Sequence, residues 1–378
     1  MKDNRPALQM VDLRTQYQAI KEEVDTALQD VLDQTAFIRG PVVDEFECSL
    51  AGYLDIPFVH GVANGTDALQ VAMMALGIGP GDEVITTAFT FVATAEAAAL
   101  LGAVPVFVDI DPDTYNIDPG CIEALITEQT KAIVPVHIFG QPADMDPILE
   151  IAKRHGLAVI EDNAQGVGST YKGQKTGGLG TCGTLSFFPS KNLGCYGDGG
   201  AVLTQDEALY HRMKLIANHG SARKYHNEVV GVNSRLDGMQ AAVLKVKLKH
   251  LDAYTAARVA AADRYDRLFA GNPAVVVPHR DPKGTHVFHQ YTLRIKGGRR
   301  DALAVHLKDL GIPHAVYYPV PLQRLPVYAD GAARWGDLTH TNQAAAEVIS
   351  LPMHTELDHE QQGYLAGIVN EFLSEVSV

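Results

Sequence analysis

The chain has 378 residues, 46% hydrophobic and 20% charged, the profile of a soluble globular protein of roughly two domains. Its 45 acidic against 31 basic residues give a net charge of −14, which argues against general binding to nucleic acid or to an anionic membrane and leaves room for a small phosphorylated ligand. The opening "MKDNRPALQMVDL" lacks an apolar core of secretory length, no apolar run reaches the ~18 residues of a membrane helix, and Cys48, Cys121, Cys182 and Cys195 show no paired spacing, so the expected setting is a reducing cytoplasm.

From about residue 55 to 205, short apolar runs alternate with helical stretches. "EVITTAF", "VPVFVDI", "KAIVPVHI", "LAVIEDNA", "TLSFF" and "GGAVLT" read as buried strands rich in β-branched and aromatic residues. Between them, "TDALQVAMMALG", "TAEAAALLG" and "DPILEIAKRHG" read as helices, the first and last stopping at glycine. Such alternation predicts an α/β fold, a mostly parallel sheet between layers of helices. Residues 236–272 form one long helical pattern rich in Ala, Leu and Lys, and a shorter α+β stretch follows "NPAVVVPHRDPKGTH". The expected division is a large domain over 1–245 and a small C-terminal α+β domain over 246–378.

Ligands of open α/β sheets sit beyond the carboxyl ends of the strands, and polar residues gather at several predicted ends. "NGTDAL" puts Asn64, Gly65 and Thr66 at a helix start, which is either an anion seat of free N–H groups or an ordinary N-cap. "AVIEDNAQG" ends an apolar strand on Glu161 and Asp162, followed by Gln165; alternation sends the two acids to opposite sides, so one of them can face a ligand. "SFFPSKNLGCYGDGGA" supplies Ser186 and Lys191. A lysine beside two phenylalanines and a proline is either a snorkelling surface charge or a half-buried amine of lowered pKa, able to form a Schiff base with a carbonyl. Anion seat, buried acid and semi-apolar lysine together fit pyridoxal phosphate, which needs a partner for its phosphate, its ring nitrogen and its aldehyde.

The chain resembles the DegT/DnrJ/StrS nucleotide-sugar aminotransferases of the aspartate-aminotransferase superfamily. The resemblance runs in order through "FIRGPVVDEFE", "NGTDAL", "FTFVATAEA", "EDNAQ", "SFFPSKNLG", "GVNSRLDGMQAAVL" and "YYPVPL". It implies pyridoxal phosphate as cofactor, with Lys191 as the Schiff-base lysine and Asp162 as partner of the pyridine nitrogen. Gly65, Thr66 and Ser186 match phosphate-binding positions, Gln165 the residue near the ring hydroxyl, and Phe91 the stacking aromatic. Asn233 matches a residue that reaches the phosphate from the partner subunit, which implies a homodimer with shared sites. Relatives often carry a His-Tyr pair where this chain has Tyr317 and Tyr318, so only Tyr318 transfers.

The implied reaction takes an amino group from L-glutamate and gives it to a keto sugar on a nucleotide diphosphate, in amino-sugar or surface-polysaccharide synthesis such as lipopolysaccharide O-antigen. "SFFPSKNLGCYGDGGA", "NSRLDGMQAAVL" and "LPMH" most resemble aminotransferases acting at C3 of UDP-2-acetamido-2-deoxy-3-oxo-glucuronate, whose carboxylate Arg235 would pair bidentately. A neutral 3-keto sugar stands next and a 4-keto sugar third. "HGSARKYH" offers Arg223, Lys224 and His226 either as a grip on the diphosphate or as a solvated loop. The rivals are a pyridoxal-phosphate sugar dehydratase or epimerase, and a regulatory protein that keeps the cofactor without turnover. His286 and His289 in "HVFHQ" read as core or loop histidines rather than a metal pair, because no further ligand is suitably spaced.

Overall fold

The computed structural model describes residues 8–223, 225–329 and 331–374. Three helices open the chain: α1 (Leu13–Ala19), α2 (Lys21–Gln34) and α3 (Pro41–Leu54). The next part alternates β1 (Phe58–Val62), α4 (Gly65–Ala75), β2 (Glu83–Thr87), α5 (Ala93–Leu100), β3 (Val104–Val108), β4 (Thr130–Ile133), α6 (Met145–His155), β5 (Ala158–Asp162), β6 (Cys182–Ser186), β7 (Gly200–Thr204) and α7 (Glu207–Ala217). These strands, with the short β10 (Arg334–Trp335), make one eight-stranded sheet in the order β1-β7-β6-β5-β4-β2-β3-β10. Only β7 runs against its neighbours, so the expected mostly parallel sheet is present.

The expected strands and helices of this region all form. Helix α6 stops at Gly156 (φ +67°), and Gly77 (φ +77°) follows α4, each taking a left-handed turn that a side chain would strain. Both faces of the sheet are covered. Apolar residues of α4, α5 and α7 pack one face, those of α6 and the 117–122 segment pack part of the other, and α3 packs with α8 (Gly238–Phe269) at the β6–β7 end. Strand β1 is not among the expected strands, because His60 and Gly61 interrupt its apolar run. His60 is nevertheless buried, beside Glu47 and Arg39.

Helix α8 has 32 residues and is about 48 Å long at 1.5 Å per residue. Its first half packs Ala241, Leu244, Leu248 and Leu251 into the large-sheet core. Its second half packs Ala261, Ala262, Tyr265 and Phe269 into a separate core with the antiparallel sheet β8 (Val275–Val276), β9 (Tyr291–Ile295) and β11 (Val348–Leu351), and with α9 (Arg300–Asp309) and α10 (His359–Ser374). Residue 245, where a division was expected, therefore lies inside a continuous helix that serves both cores.

Candidate active site

A cavity of about 420 Å³ opens beyond the carboxyl ends of the parallel strands, where the topology of such sheets leaves room for a ligand. Gly65, Thr66, Phe91, Asp162, Gln165, Ser186, Lys191 and Tyr318 line it, drawn from segments up to 253 residues apart (Gly65 to Tyr318).

The anion seat is built by close approach. Asn64 caps α4, its side chain accepting the Asp67 N–H at 2.8 Å. A methyl on Gly65 would stand 2.7 Å from Cβ of Ser186, so only glycine lets the helix start meet the end of β6. The Gly65 and Thr66 N–H groups belong to the first turn, which has no intrahelical partner, and the Thr66 and Ser186 hydroxyls stand beside them. This donor set suits a phosphate.

Of the two acids that end β5, the cavity takes Asp162. Its Oδ2 accepts from the Thr94 hydroxyl at 2.7 Å and its Oδ1 from the Ala164 N–H at 3.2 Å, which fixes the carboxylate. Glu161 points to the other side of the strand, fully buried, and accepts from the N–H groups of Gly177, Leu179 and Gly180 and from His137 Nε2 at 2.9 Å. His137 Nδ1 accepts the Ala143 N–H, so the ring proton sits on Nε2 and the pair is a satisfied structural unit. Thr94 was not singled out in the sequence. It lies in α5, 68 residues before Asp162, and no local signal joins the two. Thr94→Val should keep the fold and lower turnover about ten- to a hundredfold, since a hydrogen bond to a charged group contributes about 1.5–3 kcal/mol. Unchanged steady-state kinetics would refute that orienting role.

Gln165 is pinned at both ends: Oε1 accepts the Phe139 N–H at 2.7 Å and Nε2 donates to the Tyr318 hydroxyl at 3.0 Å. Burial pushes the Tyr318 phenol well above its ordinary pKa, so it stays a neutral hydroxyl. Phe91 is 57% exposed and forms part of the rim.

Lys191 follows a turn closed by its N–H on the Phe188 carbonyl at 2.8 Å. Burial lowers its pKa from 10.5 to about 8, and Asp162 partly opposes that shift. Gly194 lets the chain turn back: a methyl there would sit 2.4 Å from the Pro189 carbonyl oxygen. The glycine run after the lysine thus serves close backbone packing.

Four expected site residues do not line this cavity within the single chain. Asn233 is exposed and Arg235 half-buried on the segment before α8, and Arg223 and His226 lie on an exposed hairpin of Ser221–Arg223 with His226–Asn227. Lys224 lies outside the described residues. Of the two histidines read as core or loop residues, His286 stacks on Phe288 at 3.9 Å, whereas His289 stands in the cavity wall with Lys191. No cluster of three or more His, Cys, Asp or Glu able to hold a metal occurs among the described residues. Nor is any helix among them long and apolar enough to cross a membrane.

A lowered-pKa lysine, a fixed carboxylate and a helix-start anion seat around one cavity of an α/β sheet define a pyridoxal-phosphate site of the aspartate-aminotransferase fold. The sequence profile of the DegT/DnrJ/EryC1/StrS aminotransferase family matches residues 18–370, and the chain belongs to that family. It is 50% identical over 96% of its length to the "pleiotropic regulatory protein" of Geobacillus stearothermophilus, covering 98% of it. It is 48% identical over 93% of its length to the UDP-2-acetamido-2-deoxy-3-oxo-D-glucuronate aminotransferase of Pseudomonas aeruginosa strain PAO1, covering 96% of it. The crystal structure of DesV from S. venezuelae superposes with a TM-score of 0.95 at 41% identity, covering 99% of this chain and 100% of that one. The protein is a pyridoxal-phosphate-dependent nucleotide-sugar aminotransferase.

The cofactor supplies an aldehyde that binds amines and a ring that absorbs the electrons of a carbanion next to nitrogen. The chain supplies the rest. Gly65, Thr66 and Ser186 would hold its phosphate, Asp162 would keep its ring nitrogen protonated, and Gln165 would meet its ring hydroxyl. Lys191 would bind the aldehyde at rest and, once freed, carry a proton as general base and then acid.

Proposed function

We propose that the protein transfers the amino group of L-glutamate to C3 of UDP-linked 2-acetamido-2-deoxy-3-oxo-glucuronate, as a cytoplasmic homodimer serving surface-polysaccharide synthesis such as O-antigen. The 48% identity over nearly full length to the Pseudomonas aeruginosa enzyme of that name carries this choice of sugar. Arg235 gives it a chemical basis. A guanidinium matches a uronate carboxylate in two parallel hydrogen bonds, geometry that lysine does not offer. Arg223 and His226 would face the diphosphate.

In the dimer reading, Asn233 and Arg235 complete the partner's cavity. Two features support it: these residues lie off their own chain's cavity, and Val229 and Val230 nearby are exposed apolar side chains, Val230 at 85%. A mixed dimer tests it. An Asn233→Ala chain paired with a Lys191→Ala chain has one wild-type-like site and one doubly defective site if Asn233 acts across the dimer. The mixture then regains activity that neither parent has. Absence of recovery in verified mixed dimers places Asn233 in its own chain's site.

The sugar is tested by comparing glutamate-dependent amination of the 3-keto uronate and its neutral analogue, in wild type and in Arg235→Lys. The uronate should be preferred at least ~10-fold in kcat/KM, with most of that preference lost in Arg235→Lys, because a paired charge-assisted contact is worth about 1.5–3 kcal/mol. Equal efficiency in wild type would sink the uronate and leave a neutral 3-keto or 4-keto sugar. A regulatory role without turnover would fail against glutamate alone, which should convert the bound cofactor stoichiometrically from its pyridoxal to its pyridoxamine form. The same conversion separates transamination from sugar dehydration.

A further inference from the structure

Helix α8 carries a buried cation directly behind the cavity wall. Arg258 is 3% exposed, and its Nη1 donates to three main-chain carbonyls: Phe288 at 3.1 Å, His289 at 3.4 Å and Met353 at 3.1 Å. Among the described residues it has no carboxylate within 4 Å, and its Nε has no partner. A buried charge without a counter-ion costs several kcal/mol, and neutral donors would serve the same carbonyls. The charge therefore invites a reason beyond the hydrogen bonds.

The segment it holds is the one that carries His289 into the cavity wall. That segment is stitched on its other sides as well: Val287 N–H to the Gly140 carbonyl at 2.9 Å, Gln290 N–H to the Phe139 carbonyl at 3.3 Å, and Asn192 Nδ2 to the Val287 carbonyl at 3.0 Å. The last of these ties it to the residue next to Lys191. The His289 ring is 5% exposed and its Nδ1 has no hydrogen-bond partner. The cations whose charge acts on the ring are Lys191, from the lysine turn, and Arg258, from α8. Asp162 and Tyr318 line the same cavity, with Asp162 acting on Lys191; His354 lies in the reach of Arg258, and His286 is stacked on Phe288.

We propose that Arg258 is a positioning residue of this active site that acts through His289: it pins the wall segment by its carbonyls, and its unpaired charge keeps the imidazole beside Lys191 free of an added proton. Lys191 then remains the one mobile acid-base group on that side of the cavity, and no protonated imidazole beside it opposes its protonation during turnover. Burial, followed by the charges of Lys191 and Arg258, holds His289 well below the ordinary histidine pKa, in keeping with this arrangement. The device serves the transamination chemistry whichever sugar is the acceptor.

The test is a pH titration of histidine ring nitrogens by NMR in 15N-histidine-labelled holoenzyme, with His289 assigned by the signal lost in His289→Phe. In wild type the ring should titrate well below the ordinary histidine value. Arg258→Gln keeps neutral donors for the carbonyls and removes the charge, so the His289 midpoint should rise by about one unit, a tenfold gain in proton affinity. The kcat/KM profile of that variant should gain an acidic limb at the new midpoint, and Arg258→Lys should restore both wild-type behaviours. A His289 midpoint unmoved in Arg258→Gln overturns the proposal. So does a protonated His289 in wild type at pH 6, a measurement that decides the matter even where Arg258→Gln does not fold.

Discussion

Lys191→Ala should fold normally and lose at least ~10³-fold in transamination, toward the upper end of what a positioned general acid-base contributes. The loss should be this large because, in the proposed assignment, the same amine would have two tasks, holding the cofactor aldehyde and moving the proton. Its environment suits both. With a pKa of about 8, roughly one molecule in ten has the free amine at pH 7, against about one in three thousand at the ordinary 10.5. The sign matters for stability too. A lysine depressed in the folded state penalises its charged form, so cofactor-free protein should gain stability as pH rises from about 8 toward 10.5. Amine labelling of Lys191 in cofactor-free protein should follow a midpoint near 8, and a midpoint at the ordinary lysine value would refute the buried-amine account. Borohydride treatment of the holoenzyme should fix the cofactor on the Lys191 peptide. A label on any other lysine would remove Lys191 from its role.

Much of this site is legible in the sequence, because its parts are local. A helix start after "NG", an apolar strand ending on acids and a lysine between phenylalanines and glycines each carry their chemistry within a few residues. What stayed illegible depends on distance. Alternation puts Glu161 and Asp162 on opposite sides of β5 but does not say which side is the cavity; that is settled by Thr94 on one side and by the 177–180 loop with His137 on the other. His289 reads as a core histidine, which its burial justifies, and only the packing of its segment against the lysine turn puts it in the wall. Arg258 is one basic residue among many in a long Ala- and Lys-rich helix, and its burial follows from the turn at which α8 passes between the two cores. Strand β1 was hidden for the opposite reason: a buried His60, satisfied by Glu47, looks polar in sequence.

Asp162→Asn should keep the fold and cofactor content and lower turnover by about two to four orders of magnitude. Removing one partner of a buried ion pair costs about 3–5 kcal/mol, and each 1.36 kcal/mol in the barrier is tenfold in rate. The asparagine has nearly the same shape, and the Thr94 hydroxyl, 3.4 Å from that of Thr90, can turn to meet an amide as it meets the carboxylate. The change is therefore one of charge rather than packing. Without the carboxylate the ring nitrogen of the cofactor would have no anionic partner, and a ring that sheds its proton is a poorer electron sink. A second consequence separates this from simple damage. Asp162 raises the proton affinity of Lys191 against the pull of burial, so its loss should take the Lys191 midpoint below about 8. The check is paired: cofactor stoichiometry with glutamate turnover, and labelling of Lys191 against pH in the cofactor-free variant. Near-normal turnover at full cofactor content would overturn the role of Asp162 as the ring-nitrogen partner. A Lys191 midpoint that stays at about 8 would show that the lysine and the carboxylate do not share one electrostatic site.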